Sequence, residues 1–191
     1  MAEDELSYKI AVIGGSAGSL DVALKIIAAI PAHSPVVIIV VLHRKNDPVS
    51  YLTDVFSSRT SLPVKEVEDK EPIEPNTVYI APADYHLLFE NKKTFALDSS
   101  EKVNFSRPSI DVTFESAAQA FGANVIGVLL SGANADGAQG LQAIKAAGGF
   151  TIVQSPETAE VGFMPQQAIN AGAVDKIVPA ARLAELIRNT I

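Results

Sequence analysis

There is no cysteine among the 191 residues of this chain. Its absence excludes a disulfide framework, thiol catalysis and a cysteine-ligated zinc. Histidine is scarce as well, with only His33, His43 and His86. No two of them stand at metal-ligand spacing on a helix or tight loop, so neither a metal nor another cofactor is expected. Surplus positive charge is also missing: 15 Lys and Arg face 22 Asp and Glu, a net charge of −7. Nothing in that balance favours nucleic acid or an anionic membrane surface as a partner. The apolar runs are too short to span a bilayer, so no membrane insertion is expected. The acidic start Met1-Ala2-Glu3-Asp4-Glu5 lacks the basic flank and long apolar core of a signal peptide. No repeat, linker or low-complexity tract is visible. The expectation is a single soluble, cytoplasmic domain over residues 1–191, whose 48% apolar residues can fill a sizeable core.

What is present is a set of continuous Val/Ile/Leu runs, each ending in a chemically capable residue. Tyr8 to Ile13 runs into Gly14-Gly15-Ser16-Ala17-Gly18, Pro35 to Leu42 runs into His43, and Val125 to Leu130 runs into Ser131-Gly132-Ala133-Asn134-Ala135-Asp136-Gly137. Such runs predict strands buried on both faces, as in parallel sheets. Helices are predicted over Leu20–Ile30, from Asp47-Pro48 onward with Tyr51, Leu52, Val55 and Phe56 on one face, over Pro108–Phe121 with proline at the first helical position, and over Gly137–Ala147, Pro165–Ala171 and Ala180–Ile191. Further strands are expected at Thr77–Ala81, Asn124–Ser131 and Phe150–Gln154. His86–Leu97 reads as a β-hairpin with Asn91-Lys92-Lys93 at its tip, and Leu62–Pro75 as loop and short edge structure. The alternation predicts an α/β fold: a doubly wound, mostly parallel sheet with helices on both faces and a small β-hairpin.

In such sheets ligands bind beyond the carboxyl ends of the strands. A serine, a histidine and an aspartate should therefore gather on one edge, as a nucleophile, a base and an orienting acid require. Gly14-Gly15-Ser16-Ala17-Gly18 fits G-x-S-x-G at a strand-to-helix turn, where the following helix offers free N–H groups to an oxyanion. Glycines after a first strand also serve turns or phosphates, but the dinucleotide and P-loop patterns both fail here. His43 can equally be satisfied by a backbone carbonyl. His33 lies in a loop and reads as solvated, whereas His86 can face the site. Asp136 can accept the His43 ring N–H or simply cap the following helix. Asp111, in Arg107-Pro108-Ser109-Ile110-Asp111, is a rival carboxylate in the first turn of a helix.

These motifs, together with Tyr79-Ile80-Ala81-Pro82-Ala83-Asp84-Tyr85-His86, Ala146-Ala147-Gly148-Gly149 and Gly162-Phe163-Met164-Pro165, resemble the catalytic domain of the chemotaxis protein-glutamate methylesterase family, CheB. The resemblance runs from about Lys9 to the last helix. It implies a Ser16-His43-Asp136 triad and hydrolysis of γ-glutamyl methyl esters on methylated cytoplasmic helices of chemoreceptors or a related signalling protein. It also implies deamidation of particular receptor glutamines. Ala17, Ala133 and Asn134 depart from the family's usual residues at positions that shape the oxyanion and substrate contacts. Family members of the chemotaxis type usually carry an N-terminal receiver domain, whereas about seven residues precede the first strand here. The alternative from another class is a non-catalytic relative of the same fold that docks a helical or phosphorylated partner. A nucleotide-binding α/β enzyme is a third reading, disfavoured by the broken glycine fingerprint.

Overall fold

Every residue of Val36–Leu42 is buried, and its side chains divide between two cores. Val37, Ile39 and Val41 enter one, while Val36, Ile38, Val40 and Leu42 enter the other. That alternation is the two-residue period of a strand covered on both faces. The computed structural model describes residues 8–45 and 51–191. Its strands are β1 (Lys9–Gly15), β2 (Val36–Leu42), β3 (Val64–Glu66), β4 (Thr77–Ile80), β5 (His86–Asn91), β6 (Thr94–Asp98), β7 (Val125–Leu129), β8 (Phe150–Gln154) and β9 (Lys176–Val178). The helices are α1 (Leu20–Ala28), α2 (Leu52–Ser57), α3 (Ile110–Phe121), α4 (Ala138–Ala146), α5 (Phe163–Asn170) and α6 (Ala180–Thr190).

Seven strands form one sheet in the order β3-β4-β2-β1-β7-β8-β9, and every pairing in it is parallel. β5 and β6 make the separate antiparallel hairpin. One face carries α3, α4, α5 and the hairpin, with Phe114, Leu141, Met164, Phe89 and Phe95 in its core. The other carries α1, α2 and α6, through Ile26, Ile27, Phe56, Leu183 and Ile187. The chain builds outward from β1 on one side through β2, then returns to add β7 on the other. The reversal puts a topological switch point at the carboxyl ends of β1 and β7.

Several local expectations are corrected. Pro108 is not the first helical residue: Ser109 is the N-cap of α3, extended at φ −96° and ψ 136°, and its hydroxyl accepts from the Val112 N–H. Tyr51 does not join the apolar face of α2, because it is 65% exposed while Phe56 is buried. The expected helix opening at Asp47-Pro48 lies outside the described residues. α5 starts at Phe163, two residues before Pro165, which is tolerated in the first turn because N–H groups there have no intrahelical partner anyway. β9 is a strand where none was expected.

Candidate active site

Gly15 of β1 pairs with Leu42 of β2, and the His43 N–H donates to the Gly15 carbonyl at 3.1 Å. Ser16 and His43 are thus the next residues beyond two adjacent, paired strand ends. The Ser16 turn is held from two sides. Its carbonyl accepts from the N–H of Ser19 at 3.1 Å and from the Ser19 hydroxyl at 2.6 Å. Its N–H donates to the Ser131 carbonyl at 2.8 Å, and the buried Ser131 hydroxyl donates to the Ala17 carbonyl at 2.6 Å. The approach of Ser19 explains Gly15, because a Cβ there would lie 2.5 Å from the Ser19 Cβ.

Asp136 follows β7 and its side chain is fully buried, yet it does not cap the next helix; Gly137 holds that place. Its carboxylate collects five donors. Oδ2 accepts from His43 Nε2 at 2.6 Å and from the Ile110 N–H at 2.6 Å. Oδ1 accepts from the Ser109 hydroxyl at 2.8 Å, the Asp111 N–H at 3.0 Å and the Asn104 amide at 3.0 Å. Burial works to raise its pKa. The bonds from His43, from the Asp111 and Ile110 N–H groups and from Asn104 outweigh burial and hold the carboxyl below its ordinary value. Asp136 therefore stays ionised against a His43 side chain that is only 11% exposed.

Asp111 is the neighbour rather than the partner of His43. Its Oδ1 accepts from the Gly140 N–H at 2.7 Å and its Oδ2 from the Asn104 amide at 2.8 Å. Burial, reinforced by the Asp136 charge, pushes its pKa up to about 6 despite its place in the first turn of α3. Desolvation wins over the helix dipole because the group is buried. His86, which the sequence allowed to face the site, is buried and committed elsewhere: Nδ1 accepts from the Ser109 N–H at 3.1 Å and Nε2 bonds the Glu101 carbonyl at 2.8 Å. His33 is exposed.

The structure thus brings His43 and Asp136 into contact and sets Ser16 at the neighbouring strand end. The Ser16 hydroxyl makes no hydrogen bond among the described residues. With Nε2 given to Asp136, Nδ1 of His43 faces the Ser106 hydroxyl at a long 3.4 Å. His43 and Ser106 line a depression of about 490 Å³. Ser16 lines another of about 360 Å³ with Leu20, Leu24 and Glu160.

The family model for the CheB methylesterase matches residues 11–187. The chain belongs to that family. It is 42% identical over 181 residues to a putative protein-glutamate methylesterase/protein-glutamine glutaminase of Leptospira interrogans, covering 95% of this chain and 94% of the relative. It is 39% identical to the protein-glutamate methylesterase/protein-glutamine glutaminase of Thermotoga maritima over 94% of this chain, which spans 53% of that longer relative. The crystal structure of the Thermotoga maritima CheB methylesterase catalytic domain superposes with a TM-score of 0.91 at 37% identity, covering 97% of this chain and 100% of that one.

Around this candidate site, Ala17, Ala133 and Asn134 lie in the loops that follow β1 and β7. Ala17 and Ala133 are exposed. Asn134 shapes its loop: its Oδ1 accepts from the Asp136 N–H at 3.1 Å and its amide donates to the Asn104 carbonyl at 3.3 Å. Sequence reasoning missed Asn104, Ser109 and Ser131 as site residues. Ser109 carried a signal, since a serine opening a helix is a capping residue. Asn104 carried none, because the two carboxylates it bridges are brought together only by the packing of α3 against α4.

Proposed function

We propose that Ser16, His43 and Asp136 are the catalytic triad of a protein-glutamate methylesterase. Its substrates are γ-glutamyl methyl esters on cytoplasmic helices of chemoreceptors or a related signalling protein, which makes the cytoplasm its place of action. The observation that carries the reading is the 2.6 Å bond between the His43 ring and a buried, ionised Asp136, one strand away from the Ser16 turn. Asp136 fixes which ring nitrogen holds the proton, leaving Nδ1 with the lone pair. Serine–base hydrogen bonds are often loose before substrate arrives and tighten around it. The substrate carbonyl has to bring the Ser16 hydroxyl and the ring together.

Ser16 Oγ then attacks the ester carbon while His43 takes its proton. The oxyanion is met by backbone N–H groups, for which Ala17 and Gly18 are the candidates beside the serine; neither N–H has an acceptor among the described residues. Collapse breaks the bond to the methoxide, which leaves as methanol with the proton from His43. Water, deprotonated by His43, cleaves the acyl-enzyme to the free glutamate and restores Ser16. A glutamine side chain in the same place would lose ammonia instead, matching the glutaminase half of the relatives' names. Ala133 and Asn134, in the loop that leads to Asp136, are the residues proposed to shape the substrate's approach.

The test is methanol release from a methylated receptor fragment. Ser16→Ala should lower the rate at least ~10³-fold, and Ser16→Ala/His43→Ala should be no slower than Ser16→Ala alone, because residues acting as a unit do not add. Near wild-type release by Ser16→Ala would remove serine catalysis. Binding of the fragment without any methanol release by the wild-type chain would leave the non-catalytic docking relative.

A further inference from the structure

The segment after the hairpin folds back as a two-residue turn. The Val103 N–H donates to the Ser106 carbonyl at 3.1 Å, and the Ser106 N–H to the Val103 carbonyl at 2.9 Å. Its central residues, Asn104 at φ 50° and Phe105 at φ 63°, are both left-handed. Two positive φ angles define a turn whose usual occupants are Asn and Gly. Asn104 fits, and its amide is used by the two carboxylates. Phe105 does not fit. A bulky side chain is strained in the left-handed region, and this one is 96% exposed. Neither local conformation nor packing among the described residues accounts for it, and glycine would satisfy the turn better.

The place of Phe105 in the molecule supplies a reason. It lines the same depression as His43, together with the cations Arg44, Lys45, Lys102 and Arg107. Asp84 is the single acid among the described lining residues, and it pairs with Arg107 at 3.1 Å. Arg44 pairs with Glu66 at 2.6 Å. Lys45 and Lys102 make no ion pair among the described residues. A chain of net charge −7 thus concentrates positive charge beside its candidate base, and such a cleft draws an acidic ligand locally while the rest of the surface does not.

We propose that Phe105 is a specificity residue that docks the polypeptide around the reacting glutamyl group. Its ring covers an apolar side chain of an acidic, amphipathic helix, and Lys45 and Lys102 meet carboxylates next to the ester. The proposal rests on the methylesterase reading of the site, and it adds which part of the substrate is recognised and by what.

The variant to make is Phe105→Gly, because glycine is unstrained at this φ. A raised urea midpoint in the variant establishes that the fold is intact. With a methylated receptor fragment as substrate, KM should rise at least about fivefold, the scale of an aromatic anchor, with kcat within about twofold. Phe105→Leu, which keeps an apolar surface, should recover part of the loss. Lys102→Glu should raise KM and flatten its dependence on salt. The same comparison is made by direct binding of the fragment in a Ser16→Ala background, so that docking is read without turnover. Unchanged KM and unchanged binding in a stable Phe105→Gly variant would overturn the proposal. A wild-type chain that binds the fragment through Phe105 but releases no methanol would instead sink the methylesterase reading and leave the docking role standing.

Discussion

Asp136 illustrates how a single buried side chain is kept charged by its donors. An ionised carboxylate away from water is costly unless its oxygens are satisfied, and here three elements contribute: the β2 terminus through His43, the start of α3 through Ser109, Ile110 and Asp111, and the 103–106 turn through Asn104. Asn104 is the most informative to remove, because its one amide donates to both Asp136 and Asp111. Without it two neighbouring carboxylates lose their shared donor, and each holds a proton more readily. Asn104→Gly is the appropriate variant, since glycine tolerates the φ of 50° at this position. Its acid limb in the pH–rate profile should move to higher pH, with kcat lowered about tenfold as for the loss of one supporting bond. Asp136→Asn, which removes the charge and permits the wrong ring tautomer, should lose ~10⁴-fold. An unmoved acid limb in Asn104→Gly would make the bridge merely structural.

Secondary elements were legible in proportion to their burial. β1, β2 and β7 announced themselves as unbroken apolar runs because both faces are covered. β9, three residues at the sheet edge with Lys176 and Ile177 exposed, had no such pattern to show. β3, at the other edge with all three residues only half-buried, falls within the stretch read as loop and short edge structure, but its bounds had no pattern to show for the same reason. The true start of α3 was obscured by Pro108, which stands one residue before the Ser109 cap and two before the first helical residue, Ile110. Equally hidden was the closeness of α3 and α4, which depends on Gly140. A Cβ there would stand 2.4 Å from the Phe114 Cβ and 3.1 Å from the Asp111 Cα. Alanine would gain up to ~1 kcal/mol of helix propensity. Overpacking a fixed helix interface costs about 1–3 kcal/mol, and the 2.7 Å bond from the Gly140 N–H to Asp111 would be disturbed as well. Gly140→Ala should therefore lower the urea midpoint, and methylesterase activity should fall with it as α3 shifts against Asp136. An equal or higher midpoint would mean that the two helices separate at little cost.

At the scale of the molecule, fold class followed from the order of runs and breaks, and the contact of His43 with Asp136 beside the Ser16 turn followed from each standing beyond a strand's end. Strand order, the switch point beside β1 and the burial of Asp111 did not, because they are fixed by contacts between residues far apart in the chain. That burial has a consequence for the stability of the whole protein. The Asp111 carboxyl has a folded pKa of about 6, against ~3.9 for an unfolded aspartate. Between these values the native state holds a proton that the unfolded chain has released, so stability falls as pH rises through this window. Asp136 works the other way: its lowered pKa stabilises the fold above the unfolded value and that gain is lost only on further acidification. Between about pH 4.5 and 7.5 the Asp111 effect is therefore the one expressed, on the order of 1–3 kcal/mol. Asp111→Asn keeps the shape without the titration, and the remaining carboxylates are common to both proteins and cancel in the comparison. Urea unfolding at the two pH values should show the wild type losing stability relative to Asp111→Asn as the pH is raised. Parallel pH dependence in the two proteins would mean that Asp111 ionises inside the fold as easily as in water, and that Asn104 and the Gly140 N–H fully compensate for its burial beside Asp136.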